Sequence, residues 1–399
     1  VRERSSEVQA ERLAPTRFAA AVRARRGFEP MRVAVVGAGI SGLACARVLH
    51  DQGHEVQGHE VTVFDRGRGP GGRMSTRRVD GGAHDELSFD HGAPYFEVRD
   101  PRFGRYVRSW MESGVCAKWQ ASSAVWRDGR LTVTGSATPM IVGTPTMSAV
   151  CAHLAVDLSL RSSHVVESVG VVDGAWRLAL RRAGEQEAED AGPFDAVVLA
   201  MAAEQAKRLI PSGHDDIVRA LEGVRHEPVW AALLMVEGVG DVLPDVLETP
   251  GDPVLALVTR NDSKPGRRSA NSAVRLVVHA QPAWSHARYD ANRNEVADEL
   301  AVEARRVLGA VLERTVEPSA VTYLAAHRWG MARPVEAVPS PCLFDRRAGL
   351  AICGDGFGGS GVEAAFLSGQ AAAGRVLSLR RPRRAAAPAQ EARFTDDRA

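Results

Sequence analysis

Lysine is nearly missing from this chain: Lys118, Lys207 and Lys264 are three among 50 basic side chains, and arginine supplies the rest. Chemistry that needs a lysine amine therefore has three candidates. Cysteine is scarce as well. Cys45, Cys116, Cys151, Cys342 and Cys353 form no CxxC pair and no metal-ligand spacing, and their odd number suits a reducing, cytoplasmic setting. No apolar run approaches the ~18–20 residues of a membrane span. The formal charge of +1 gives neither the basic surface expected of a nucleic-acid binder nor the field for an acidic partner.

What is present is ordinary for a globular protein: 45% apolar and 25% charged residues, in a chain of 399 that is long enough for two domains. The first 30 residues mix arginines with Glu3, Glu7, Glu11 and Glu29. They lack the apolar heart of a signal peptide and are too acidic for a transit peptide, so they are expected to form a mobile extension before a core that begins at Met31. Residues 380–399 are expected to be disordered, with Arg380, Arg381, Arg383 and Arg384 as a solvated basic cluster.

The strongest local pattern is MRVAVVGAGISGLACARVL, from Met31 to Leu49. Val33–Val36 is the near-continuous apolar run of a strand buried on both faces. It passes through Gly37-Ala38-Gly39-Ile40-Ser41-Gly42 into a helical pattern. Glycines at this spacing permit a tight turn, close approach of backbone to a pyrophosphate, and close packing of helix on strand. The helix N-terminus offers free N–H groups to phosphate. The same motif requires an acid at the end of the second strand to bond a ribose. Asp65, after Val61-Thr62-Val63-Phe64, supplies it.

Between helix and strand the chain repeats itself: Gln52–Val56 reads QGHEV, and so does Gln57–Val61. Asp65 lies 28 positions after Gly37, and removing one copy leaves 23, close to the ~20 of the motif. The duplication is expected to bulge out as a longer loop around His54–Gly58. Five extra loop residues cost well under ~1 kcal/mol in closure entropy. His54 and His59 invite a metal reading, but as members of a duplicated surface pair they are expected to do nothing of the kind.

A second glycine-rich loop, Arg66 to Met74, follows directly, with Arg73 placed to meet phosphate as a planar fork. Near the other end, Leu350–Cys353 reads as a strand, Gly354-Asp355-Gly356 as a turn, and GVEAAFLSGQAAAGRVL as a helix with small residues on one side. An Asp on such a turn can hold a ribityl hydroxyl, and the helix N-terminus can stabilise a reduced flavin. Two such sites at opposite ends of a chain point to FAD spanning a folded-back domain. His164–Val169, Ala175–Leu180 and Phe194–Ala202 read as strands, the last a core strand of that domain. Phe89–Phe96 (FDHGAPYF) would bring backbone and Tyr95 near the ring, although Tyr95 and Phe96 also suit core packing.

The ordered set GAGISG, GGRM, FDHGAPY, FDAVVLAM, RNDSKPGR (Arg260–Arg267), VRLVVHAQPAW (Val274–Trp284), HRW (His327–Trp329) and CGDGF resembles the flavin amine-oxidase superfamily, and within it the renalase-like flavoproteins. The resemblance runs from Met31 to about Leu379. It implies an α/β fold of two domains, a Rossmann-type FAD-binding domain and a mixed-sheet substrate domain. It also implies noncovalent FAD, and oxidation of isomeric dihydropyridine forms of NAD(P)H with dioxygen as acceptor and hydrogen peroxide as product. Cofactor contacts are then expected from Gly37, Gly39, Ile40, Ser41, Gly42, Asp65, Arg66, Gly72, Arg73, Met74, His91, Gly92, Ala93, Val166, Gly354, Asp355, Gly361 and Val362. The chain departs from the pattern in its duplication, its Arg-rich termini and the dense glycines at Gly358, Gly359 and Gly361.

Hydride transfer needs stacking geometry and electrostatics more than a nucleophile, and no Ser/His/Asp or Cys/His set is evident. Asn261, His279, Arg328 and Trp329 are the candidates for orienting a small-molecule substrate. His279 ends an apolar run and belongs either in a cleft or in a core hydrogen bond. Trp329 is either packing or ligand cover, and Arg328 pairs either with a substrate phosphate or with a carboxylate of the chain. Lys264 reads as part of a polar loop, which disfavours amine oxidation. A flavin amine oxidase or desaturase of another small metabolite, and an FAD-binding protein without catalysis, are the alternatives. The FAD domain is expected at 31–95, 143–205 and 320–379, and the substrate domain at 96–142 and 206–319, with WAALLMVEG, VLALVTR and VRLVVHA in one sheet backed by a helix near Asn292–Leu312.

Overall fold

The computed structural model describes residues 30–52, 59–79, 87–135, 138–240, 242–267 and 273–379. The expectations for residues 1–29, for the tail from Arg380 and for the loop containing His54 lie outside them.

Two sheets organise the chain. The first has six strands in the order Leu343–Asp345, Leu350–Cys353, Ala196–Ala200, Arg32–Val36, Glu60–Phe64 and Ser159–Arg161. All neighbours run parallel except the edge strand Leu343–Asp345. Such a sheet is covered on both sides, and its central strands are accordingly buried throughout, Ala196–Ala200 without exception. On one face the helices Ile40–Gln52 and Gly361–Leu377 lie together. They touch so closely that a Cβ on Gly369 would stand 2.0 Å from the Ser41 carbonyl oxygen. On the other face lies an antiparallel sheet of His164–Val172, Ala175–Arg182 and Ala188–Phe194, which buries Trp176, Leu178 and Leu180 against Ala34, Val36, Val197 and Leu199.

The second sheet has seven strands, Val321–Glu336, Arg225–Glu237, Ala273–Ala280, Leu255–Arg260, Val246–Glu248, Ser123–Arg127 and Arg130–Thr134 in that order. The three segments expected to share a sheet do so. Its residues alternate faces with period two. Ala232, Leu234, Leu276 and Val278 pack beneath the helix Arg293–Val311, which buries Val296, Leu300, Ala304, Val307 and Leu308. Asn292 caps that helix, accepting from the Asn294 N–H at 2.8 Å. Leu233, Met235 and Val277 face the other way, against Phe89.

Two expected domain boundaries shift. Val321–Glu336 pairs along its length with Arg225–Glu237, so the chain returns to the first sheet after Glu336 rather than at 320. The helix Pro101–Glu112 turns Phe103 and Trp110 onto Phe366 of the last helix, so this part of 96–142 packs with the nucleotide domain. Only from Ser123 does that segment enter the second sheet.

Candidate functional site

The front turn is built by steric necessity at two glycines and left open at a third. Gly37 has φ +113°, donates its N–H to Phe64 O at 2.8 Å, and would place a Cβ 2.2 Å from Ala200 O. A Cβ on Gly42 would meet Gly37 O at 1.9 Å. Gly39 differs: nothing lies within 4 Å of the position its Cβ would take. The second loop closes over this turn, with Gly71 N donating to Ala38 O at 2.9 Å and Gly72 at φ +54° beside the Gly39 Cα. Ile40, Ser41 and Gly42 open the buried helix, and their N–H groups precede the first intrahelical bonds. A space floored by backbone at Gly39 and faced by free N–H groups fits a pyrophosphate.

Asp65 stands at the end of the second strand, where its carboxylate accepts the N–H of Ala38 and of Gly67, each at 2.6 Å. One lone pair on each oxygen is left for a ribose. The strand containing Val166 begins beside it, His164 N donating to Asp65 O at 2.9 Å, while the Val166 side chain packs on the core behind the sheet. Arg66 is exposed. From the repeat, His59 Nδ1 accepts the Met31 N–H at 3.0 Å and Glu60 N donates to Met31 O at 2.9 Å. Among the described residues no three His, Cys, Asp or Glu converge as a metal site.

Arg73 directs its fork to the far C-terminal turn. Its two Nη atoms clasp Asp355 at 2.6 and 2.7 Å, and Nη1 also reaches Ala332 O at 3.1 Å. The fork expected to meet phosphate is engaged in a bidentate pair between residues 282 positions apart in sequence. Burial would raise the Asp355 pKa, but the Arg73 charge and the bonds from His226 and Arg73 hold it below the usual carboxylate range. Gly354 N donates to Ser368 Oγ at 3.1 Å, Gly361 opens the last helix at φ +84°, and Val362 packs half-buried on the main core. Met74 is buried beside the loop.

The segment after Phe89 threads between the two sheets. A Cβ on Gly92 would lie 1.9 Å from Arg73 O and 3.3 Å from the Trp329 ring, and Ala93 N donates to Arg73 O at 2.8 Å. His91 projects against the second sheet. Across that sheet His279 and His327 are both in register with Ala231, so two rings flank a methyl group and leave room for a third. The His91 ring packs on His327 at 4.8 Å and on Trp329 at 4.9 Å between centroids, and His327 meets Trp329 at 4.4 Å. The His91 carbonyl is held by Trp329 Nε1 at 2.8 Å and His279 Nε2 at 3.3 Å. His91 Nδ1 is buried with no partner among the described residues.

All three imidazoles are held neutral. Burial, then the neighbouring charges of His327, Arg77 and His279, lowers the His91 pKa to about 3. Burial lowers His279 to about 4 with help from Lys264 and Arg333. Burial lowers His327 to about 4, helped by Arg293, Arg77 and Arg66. His279, Trp329 and His91, singled out separately in the sequence, thus come together, and His327 joins them. The only sign of His327 was its place two residues before Trp329.

Two other candidates stand apart. Arg328 lies on the opposite face of its strand, stacked over Tyr289 at 4.1 Å and 3.3 Å from Asp290. Asn261 faces inward: its Oδ1 accepts the Asp90 N–H at 3.0 Å and its Nδ2 donates to Ser88 O at 2.9 Å, clamping the segment that leads to His91. Lys264, expected in a polar loop, is fully buried 3.2 Å from Asp90, which also pairs with Arg267. Burial lowers the Lys264 pKa to about 8 against the pull of Asp90. These two cations hold Asp90 below the usual carboxylate range despite its burial.

Known proteins match in sequence at one stretch and in fold over most of the chain. The model of the NAD(P)-binding Rossmann-like domain matches residues 35–110. A 4,4'-diapophytoene desaturase (4,4'-diaponeurosporene-forming) of Staphylococcus aureus strain Newman is 44% identical over 62 residues, 16% of this chain and 10% of the relative. The chain thus spans about a tenth of the length of the curated relatives it matches. In structure it superposes on a candidate protoporphyrinogen oxidase from Exiguobacterium sp. 255-15, with TM-score 0.67 and 14% identity over 88% of this chain and 99% of the other. It also superposes on cyclohexylamine oxidase from Brevibacterium oxydans IH-35A, with TM-score 0.61 and 12% identity over 87% and 98%. The chain thus has a mixed α/β fold with a Rossmann-like dinucleotide domain, the fold of those two solved oxidases. Among the described residues no helix is long and apolar enough to cross a membrane.

Proposed function

We propose that this protein is an FAD-dependent oxidase that takes hydride from a dihydropyridine, an isomeric dihydro-NAD(P) or a related small metabolite, with dioxygen as final acceptor. The carrying observation is the wall of three neutral imidazoles and an indole opposite the glycine loops, set in a positive field from Arg66, Arg77, Arg293, Arg333 and Lys264. An ammonium substrate is repelled by that field and finds no carboxylate among the described residues of the wall. A planar, uncharged dihydropyridine that carries phosphates elsewhere suits both the flat wall and the surrounding cations.

The residues present fit noncovalent FAD. Gly37, Gly39, Gly42 and Gly72 would accommodate the pyrophosphate, Asp65 the ribose and Asp355 a ribityl hydroxyl. When bound, the flavin supplies a two-electron acceptor that dioxygen can reoxidise, releasing hydrogen peroxide. The wall's work is positional. Trp329 is fixed by its bond to the His91 carbonyl, His279 braces the same carbonyl, and the neutral rings exclude water without offering a proton. No acid or base is required of them, because a dihydropyridine that loses hydride becomes a pyridinium with no proton transferred.

Anaerobic mixing of the flavin-loaded protein with dihydropyridine isomers of NAD(P)H should bleach the flavin, and air should restore the colour with peroxide release. Bleaching by amines alone would replace this reading with amine oxidation. Reduction by dithionite but by no metabolite would leave a cofactor-binding protein without catalysis.

A further inference from the structure

Behind the Gly354–Asp355 turn lies a chain of titratable groups that the hydride chemistry does not use. His226, at the start of the strand Arg225–Glu237, has a side chain 1% exposed. Its Nε2 lies 3.3 Å from Asp355 Oδ1 and its Nδ1 2.9 Å from Glu204 Oε2, while its backbone N–H donates to Glu204 Oε1 at 2.8 Å. Glu204 sits on the helix Ala203–Leu209, directly after the core strand Ala196–Ala200. Arg73 completes the series from the far side of Asp355. Arginine, carboxylate, imidazole and carboxylate thus join the second glycine loop, the last turn of the nucleotide sheet, the second sheet and a nucleotide-domain helix.

The bonding pattern is specific. Carboxylates accept and do not donate, so the His226 ring nitrogens face an acceptor on each side, Glu204 and Asp355. Asp355 Oδ1 then receives two donors, Arg73 Nη2 and His226 Nε2, whereas Oδ2 receives Arg73 Nη1 alone. Each carboxylate oxygen offers two lone pairs, which leaves one acceptor position, on Oδ2. We infer that His226, backed by Glu204, is a positioning residue that fixes the Asp355 carboxylate so that Oδ2 alone faces a ligand hydroxyl. Without His226 the carboxylate could rock about the Arg73 fork and the open position would blur between its two oxygens. The inference rests on the reading that Asp355 holds a ribityl hydroxyl of FAD.

A ligand-side comparison separates this role from a plain structural staple. Apoprotein would be titrated with FAD and with FAD analogues that each lack one ribityl hydroxyl, following the quenching of flavin fluorescence. Wild type should favour FAD over one of the analogues by about tenfold, the worth of a single hydrogen bond to a charged acceptor. His226→Gln and His226→Ala should bring that preference to within about twofold. Glu204→Gln, at a partly exposed position that tolerates change, should lower it in the same direction. A loss of affinity by the same factor for FAD and for every analogue, or an unchanged preference in all three variants, overturns the inference while leaving the FAD reading intact. Wild type that binds neither FAD nor any analogue overturns both.

Discussion

Gly39 and Gly42, three positions apart, are glycines for different reasons, and alanine tells them apart. At Gly42 an added methyl carbon would overlap the Gly37 carbonyl oxygen at 1.9 Å, with no flexible atom to yield. Gly42→Ala should cost about 3 kcal/mol or more, the upper range of overpacking, read as a drop in melting temperature. At Gly39 the same carbon meets nothing, so Gly39→Ala should melt within about a degree or two of wild type. If that space belongs to a pyrophosphate, the same variant should bind FAD at least about tenfold more weakly in a fluorescence titration. Unchanged FAD affinity in Gly39→Ala would remove the cofactor from this turn.

The imidazole wall makes a second residue-scale prediction. His91, His279 and His327 keep neutral rings in the folded protein down to about pH 3, 4 and 4, against an ordinary value of 6.5. Above about 6.5 neither the folded nor the unfolded state binds a proton there, and these rings add no pH dependence to stability. As pH falls from about 6.5 toward 4 the unfolded chain takes up protons that the folded chain refuses, and stability is lost. The loss should be on the order of 1 kcal/mol per ring at pH 5, allowing for screening at the half-buried rings. Thermal melts between pH 7 and 5 would show it as a falling midpoint, and His327→Gln should shallow the slope.

At the scale of elements, a strand's period of two decides which of its residues share a site. HRW carries three side chains suited to a ligand, but His327 and Trp329 face His91 while Arg328 faces Tyr289 and Asp290 on the other side. Arg328→Ala should therefore change flavin reduction by the proposed dihydropyridine less than about twofold, and Trp329→Ala should slow it by at least about tenfold. Anaerobic stopped-flow reduction of both variants checks the pair, and equal effects would contradict the assignment. Local patterns foretold much of this architecture. Val33–Val36 read as a buried strand, the glycine turns fell between strand and helix, and helical spacing marked about Asn292–Leu312, where the helix Arg293–Val311 stands. What could not be read was which distant side chains meet. Nothing local to GGRM or CGDGF says that Arg73 will spend its fork on Asp355. Nothing near Lys264 announces that Asp90, 174 positions away, will bury it. Pairings across sheets are settled by register, and register follows from the whole set of strands.

At the scale of the molecule, two sheets cross where the C-terminal ends of Ala196–Ala200 and Leu350–Cys353 meet the strands bearing His226 and Ala332. Open α/β sheets receive ligands at that edge. Everything behind it is closed packing, and the five cysteines report on that closure. Each is free and buried. Burial raises Cys116, Cys151 and Cys353 to about 12 and also raises Cys45 and Cys342, so in the folded protein none has the thiolate needed to react. Cys353, two residues before Asp355, is the thiol nearest in sequence to the proposed cofactor site, and it too is fully buried. The native protein should accordingly show no rapid reaction with a thiol reagent at neutral pH, and all five thiols should titrate once denaturant is added. Acid precipitation of the flavin-loaded protein should leave the yellow colour in the supernatant, because no accessible thiolate is available to form a thioether with the ring. Colour that stays with the pellet, accompanied by four titratable thiols instead of five, would mean that one cysteine reaches the flavin and that the closed packing at the end of Leu350–Cys353 opens when the cofactor binds.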